Sequence, residues 1–249
     1  MNIPTQNGST PDPGDPGDPG DPGDRREIPA YDLGRVPYRA ALAFQHRAVE
    51  TRARGESPDV LYFVEHEPVL TVGRGGHDEN LKLSELEYSR RGIEVVPVER
   101  GGDVTYHGPG QIVGYPIVGL ETLPGGRDLH RYLRDLEEAI LRVLASYGLD
   151  GSRRPEFTGV WVGDRKVAAI GVAVRRWVTF HGFALNVNPD LTHFDLIHPC
   201  GIRGLGVASL QSLLGKAPPR EEVIARLARA FSEVWERPVR LPRGEPAHV

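Results

Sequence analysis

Between Phe157 and Val187 three strand-like runs, FTGVWVG, KVAAIGVAVRR and VTFHGFALNV, follow one another with almost nothing between them. The first turn is as short as Gly163-Asp164-Arg165. Parallel neighbours need a crossover of about a dozen residues or more, so strands joined this closely pair as antiparallel hairpins. A chain carrying this meander cannot be a strictly alternating parallel α/β protein.

The rest of the sequence groups helices between strands. VPYRAALAFQHRAVETRARG places Val36, Ala40, Phe44 and Ala48 at helical spacing, with Gly55 as a stop. DVLYFVEH and PVLTVGRG read as two strands with a turn at Glu67-Pro68, and a short helix begins near Ser84. IEVVPV and QIVGYPIVGL are further strands on either side of a glycine-rich segment. RDLHRYLRDLEEAILRVLASYGL is the longest helix, its apolar face drawn from Leu129, Leu133, Leu136, Ile140, Leu141 and Leu144. REEVIARLARAFSEVWE closes the fold before Pro238. This order predicts an α+β class with a mixed, largely antiparallel sheet flanked by helices.

Ahead of it stands PDPGDPGDPGDPGD, with Gly14, Gly17, Gly20 and Gly23 three residues apart. The spacing imitates collagen, but the triplets are too few for a triple helix and an acidic Pro/Gly tract buries nothing apolar. The expectation is a disordered tail over residues 1–27 and a single folded domain over 28–249.

Composition narrows the function. A formal charge of -4 with interleaved acids and arginines declares no basic face for nucleic acid. No apolar run approaches the roughly 20 residues of a membrane span, and no charged start leads into a secretory apolar segment. With a single cysteine in the chain, a reducing cytoplasm is the expected setting. That cysteine and the scattered histidines show no zinc spacing, so no metal is expected.

Three segments carry chemistry. In ERGGDVTYHGPGQIVGYPI, glycines bracket Thr105, Tyr106 and His107; this is either a pair of turns around a strand or a loop whose backbone approaches a ligand. Lys166 opens a run of small apolar residues, and only Lys82, Lys166 and Lys216 are lysines in a chain that otherwise uses arginine. It is either a surface lysine or a desolvated amine able to act as a base. Cys200, in DLIHPCGIRG, is either a small buried hydrophobe or a nucleophile placed in a loop by Pro199 and Gly201.

In order, RGGDVTYHGPGQIVGYPI, GVWVGDRKVAAIGVAVRRWVTFHGFALNV and HPCGI resemble the lipoyl(octanoyl) transferase family, and the likeness runs from about Tyr31 to Pro238. The resemblance implies the fold of biotin and lipoate protein ligases and a catalytic pair in which Cys200 carries the acyl group and Lys166 tunes it. It also implies substrate contacts from Arg100, Gly101, Gly102, Asp103, Val104, Thr105, Tyr106 and His107, from Ala169, Ile170 and Gly171, and from Gly182, Phe183 and Ala184. Relatives often have serine where this chain has Ala169, so only a backbone contact carries over there. The implied donor is octanoyl-acyl carrier protein, and the implied acceptors are lipoyl domains of 2-oxoacid dehydrogenases and the glycine cleavage H protein. No cofactor is implied, because exchange between thioesters is nearly isoenergetic and amide formation from a thioester runs downhill. Room for the acyl tail is expected beside Gly171 and Gly182, and oxyanion donors near Gly201. The competing readings are an ATP-dependent lipoate or biotin ligase and a non-catalytic binder of carrier or lipoyl domains.

Overall fold

The computed structural model describes residues 27–198 and 206–242. Both the Pro/Gly triplets and Cys200 lie outside the described residues.

The meander forms as its short turns require: β8 (Phe157–Val162), β9 (Arg165–Arg175) and β10 (Val178–Asn186) pair antiparallel in sequence. β10 continues antiparallel to β6 (Gln111–Ile117), and β6 to β2 (Val60–Glu65). Beyond β2 the sheet turns parallel, adding β1 (Ile28–Arg35) and then β12 (Val239–Arg240). At the opposite edge lies β7 (Ser152–Arg154), and β11 (Gly206–Val207) runs parallel to the start of β9. The mixed, largely antiparallel sheet expected from the sequence is therefore observed, with two additions. β1 and the short edge strands are not signalled by the sequence, since IPAYDLGR contains the proline, aspartate and glycine usual in loops.

Both faces of the central strands are covered. Along β2, Leu61 and Phe63 face the cluster built on α3 (Leu129–Ser146) and α5 (Arg220–Val234), while Tyr62 and Val64 join α1 (Tyr38–Ala53) on the other side. Every residue of β10 is buried for the same reason. On α3 the buried stripe holds Tyr132, Leu136, Ala139, Ile140, Val143 and Leu144. Leu129, expected in the apolar face, is 37% exposed and lines a cavity, while Tyr132 is buried. Burial of Leu136 and Ile140 contributes about 1.5–3 kcal/mol each.

DVLYFVEH and PVLTVGRG are both strands but do not pair with each other. β3 (Val69–Val72) leaves the main sheet and forms a small one with β4 (Glu94–Pro97), parallel, and β5 (Val104–His107), antiparallel. Its core takes Leu70, Tyr88, Ile93, Val104 and Tyr106, with Tyr88 coming from α2 (Glu85–Arg90). Ser84 caps that helix in a reciprocal box with Glu87. A short helix, α4 (Leu210–Leu214), follows β11. Among the described residues no helix is long and apolar enough to cross a membrane.

Candidate active site

The small sheet and the main sheet enclose a cavity of about 790 Å³. Along one wall the two triplets singled out in the sequence are cross-strand partners: Ala169 faces Ala184, Ile170 faces Phe183 and Gly171 faces Gly182. All six line the cavity, as does Lys166. The turn before β5, from Arg100 to Asp103, also lines it, continued by Val104, Thr105 and His107.

Strand alternation separates Tyr106 from this group. Its ring is buried in the small-sheet core, stacked 4.7 Å from His193 and edge-on to Phe194 at 5.5 Å. It is not among the lining residues.

The glycines at 171 and 182 serve a different purpose from the one expected. A Cβ on Gly171 would lie 2.9 Å from the Gly101 carbonyl oxygen and 3.0 Å from Arg100 Cδ. One on Gly182 would lie 2.2 Å from the Gly114 carbonyl oxygen. At Gly171 this lets the Arg100–Gly102 turn lie on β9, where Gly101 N–H donates to the Val172 carbonyl at 2.9 Å. The room for a ligand comes from the gap between the sheets.

A directional hydrogen-bond chain runs beneath the cavity. Arg100 Nη2 donates to the Thr71 carbonyl (2.7 Å) and to Thr71 Oγ1 (2.8 Å), and Thr71 Oγ1 lies 3.5 Å from His107 Nε2. His107 Nδ1 is 3.3 Å from Gln111 Oε1, whose amide nitrogen donates to Asn186 Oδ1 at 2.9 Å. Asn186 Nδ2 donates to the Ala208 carbonyl, and Ala208 N–H donates to the carbonyl of Lys166. Because the Gln111 nitrogen is committed to acceptors, its oxygen must accept; this puts the His107 proton on Nδ1 and leaves Nε2 to accept from Thr71. Burial drives His107 well below its ordinary pKa, assisted by His66 and Arg100, so the ring is neutral near pH 7.

His66 is held the same way. It lies 2.7 Å by Nδ1 from the Val36 carbonyl and 2.6 Å by Nε2 from the Tyr115 hydroxyl, and burial pushes its pKa down to about 4. The Tyr38 ring stacks on His107 at 6.0 Å. Tyr38, Tyr115, Asn80 and His181 all line the cavity and were not singled out in the sequence.

Lys166 is half-buried at the start of β9. Its Nζ lies 4.9 Å over the Trp161 ring and 3.5 Å from the Thr158 carbonyl oxygen. Two residues before Cys200 in the sequence, His198 N–H donates to the Asn80 carbonyl at 2.8 Å, and Leu81 bridges Ile197. Asn80 Nδ2 in turn donates to Asp103 Oδ2 at 2.6 Å. Among the described residues no cluster of three or more His, Cys, Asp or Glu could hold a metal ion.

The main mixed sheet with its small accessory sheet is a fold that this chain shares with lipoate–protein ligases. A crystal structure of lipoate-protein ligase A bound with ATP superposes with a TM-score of 0.71 over 87% of this chain and 89% of that one, at 19% identity. The family model for the lipoyl protein ligase A/B catalytic domain matches residues 37–232, and the chain belongs to that family. It is 49% identical over 215 residues to an octanoyltransferase of Myxococcus xanthus, covering 84% of this chain but 60% of that protein's length. It is 51% identical over 203 residues to an octanoyltransferase of Rubrobacter xylanophilus, covering 81% of this chain and 90% of that one.

Proposed function

We propose that this chain is an acyltransferase that moves an octanoyl group from octanoyl-acyl carrier protein to a lysine of a lipoyl domain, a step of lipoate biosynthesis carried out in the cytoplasm. The observation that carries this reading is the gathering of Lys166, the Arg100–His107 segment and the paired triplets around one cavity, in a chain about half identical to named octanoyltransferases. The acceptors are lipoyl domains of 2-oxoacid dehydrogenases and the glycine cleavage H protein.

Cys200 and Lys166 share the chemistry in this reading. The Cys200 thiolate attacks the thioester carbonyl, the bond to the carrier's thiol breaks, and the Lys166 ammonium gives its proton to the departing sulfur. The acceptor amine then attacks the new thioester. The amide bond forms, the Cys200 thiolate leaves, and the amine's proton returns to Lys166. Protons balance over the cycle, and no nucleotide is consumed.

Octanoyl-carrier protein and a lipoyl domain mixed with the enzyme, without ATP, are expected to give an acceptor heavier by one octanoyl group in intact-mass analysis. Transfer seen only from free octanoate plus ATP would make the protein a ligase instead.

The packing at Gly171 gives a second expectation. Alanine there forces a Cβ against the Gly101 carbonyl and must shift the adjoining turn, which also lines the cavity. Overpacking of this kind costs about 1–3 kcal/mol, so melting should fall by roughly 2–12 °C. Transfer should fall about tenfold, because a displacement of one wall weakens positioning of the acyl group. Steady-state rates of Gly171→Ala beside its melting curve check this; full activity would mean that the turn does not shape the site.

A further inference from the structure

We propose that Glu137 is a positioning residue for Lys166, acting through the peptide bond between Thr158 and Gly159. The proposal rests on the reading of Lys166 as the proton-handling amine, and one peptide unit carries it. Its carbonyl oxygen, on Thr158, lies 3.5 Å from Lys166 Nζ, and its N–H, on Gly159, donates to Glu137 Oε1 at 3.0 Å. The carboxylate and the ammonium thus sit at opposite ends of the same dipole.

The local fold is shaped around this contact. The register of β8 against β9 passes from Val160–Ala168 to Trp161–Lys166, so Val167 is left over in a bulge beside the lysine. Gly159 adopts φ +136°, and a Cβ there would lie 2.7 Å from the Ala168 carbonyl oxygen and 3.3 Å from Lys166 Cε. Only glycine lets the lysine stem lie against this peptide.

Glu137 is fully buried on α3. Arg134 reaches it at 2.6 Å and Arg153 at 3.2 Å, yet both arginines are partly exposed and Arg153 also pairs with Glu138 at 2.6 Å. Arg153 thus has a surface partner available and does not require a carboxylate inside. A buried carboxylate is costly unless each lone pair is used, and here one is spent on a backbone N–H inside the sheet. A negative charge at the N–H end polarises the peptide and makes its carbonyl a stronger acceptor for the ammonium. It also fixes the plane of that peptide, and with it where Nζ sits.

Other charges near the lysine bear on its titration. Arg154 of β7 lies 4.8 Å over the same Trp161 ring, and Glu156, Asp103 and His77 line the cavity. None of them is changed in the test.

Lysine labelled with ¹³C at Cε gives three signals, from Lys82, Lys166 and Lys216, and loss of one in Lys166→Arg assigns it. In the full chain carrying Glu137→Gln, the Lys166 midpoint should fall by about half to one pH unit, because the nearby negative charge that favours the ammonium is gone. Lys82 and Lys216 should not move. kcat should fall about tenfold with KM for the octanoyl carrier and the lipoyl domain within about twofold, since geometry at the reacting atoms is lost and binding is not. Glu137→Asp keeps the charge but withdraws the oxygen, so it should titrate close to the parent while losing kcat. An unmoved Lys166 signal in folded Glu137→Gln would overturn the proposal; so would full kcat in Glu137→Asp, the variant that decides if Glu137→Gln does not fold. A moved signal in a protein that transfers no octanoyl group would uphold the link between the two residues and overturn the functional reading.

Discussion

Replacing Cys200 with alanine should reduce octanoyl transfer by about a thousandfold or more, the scale of loss when a covalent nucleophile is removed. The parent enzyme, incubated with octanoyl-carrier protein alone, should gain the mass of one octanoyl group and lose it on treatment with hydroxylamine. Cys200→Ala should gain nothing. The expectation rests on chemistry that no other side chain here can supply: Cys200 is the chain's one thiol, and an unperturbed thiol with a pKa near 8.5 already holds a few per cent thiolate at neutral pH. Serine at this position should fail as well, since an unassisted hydroxyl is a far weaker nucleophile. Melting curves of the parent and both variants should overlap closely enough to rule out misfolding. Undiminished turnover in Cys200→Ala would end the covalent mechanism and favour direct attack of the acceptor amine on the carrier thioester.

Much of this site is legible before any coordinates, because it is built from local rules. The short turn at Gly163-Asp164-Arg165 fixes the β8–β9 hairpin, and the pairing of Ala169–Gly171 with Gly182–Ala184 follows from one more turn of the meander. The glycines around Arg100 announce a close backbone approach, although the sequence does not say to what. It proves to be Val172 of β9. What stays hidden depends on contacts far apart in the chain. β1 pairs in parallel with β2 across the whole of α1, and its loop-like composition gives no hint of a strand. Tyr106 sits in a segment that reads as a binding loop, yet strand alternation turns its ring into the small-sheet core. Glu137 follows a leucine in a helix rich in charge, where an acidic residue ordinarily marks the solvated face. Only the packing of α3 against β8 shows that it is inside.

In the proposed mechanism Lys166 has two roles that a single substitution would confuse, electrostatic support of a thiolate and transfer of protons. Lys166→Arg keeps the positive charge, and the guanidinium can still stack on the Trp161 ring that the ammonium now overlies. Arginine stays protonated at any workable pH, so it can neither give a proton to the leaving thiol nor take one from the acceptor amine. Alkylation of Cys200 by iodoacetamide should therefore remain within about threefold of the parent in Lys166→Arg, while octanoyl transfer falls about a hundredfold, the lower end of general acid–base contributions. Lys166→Ala should lose both, because the charge that favours the thiolate goes with the proton relay. The alkylation rate should then show a thiol titrating nearer its reference value of about 8.5. Full transfer by Lys166→Arg would leave charge as the lysine's whole contribution. Unchanged alkylation in Lys166→Ala would mean that the thiol and the amine do not meet, and that the Trp161 ring and the Thr158 carbonyl hold this lysine for another purpose.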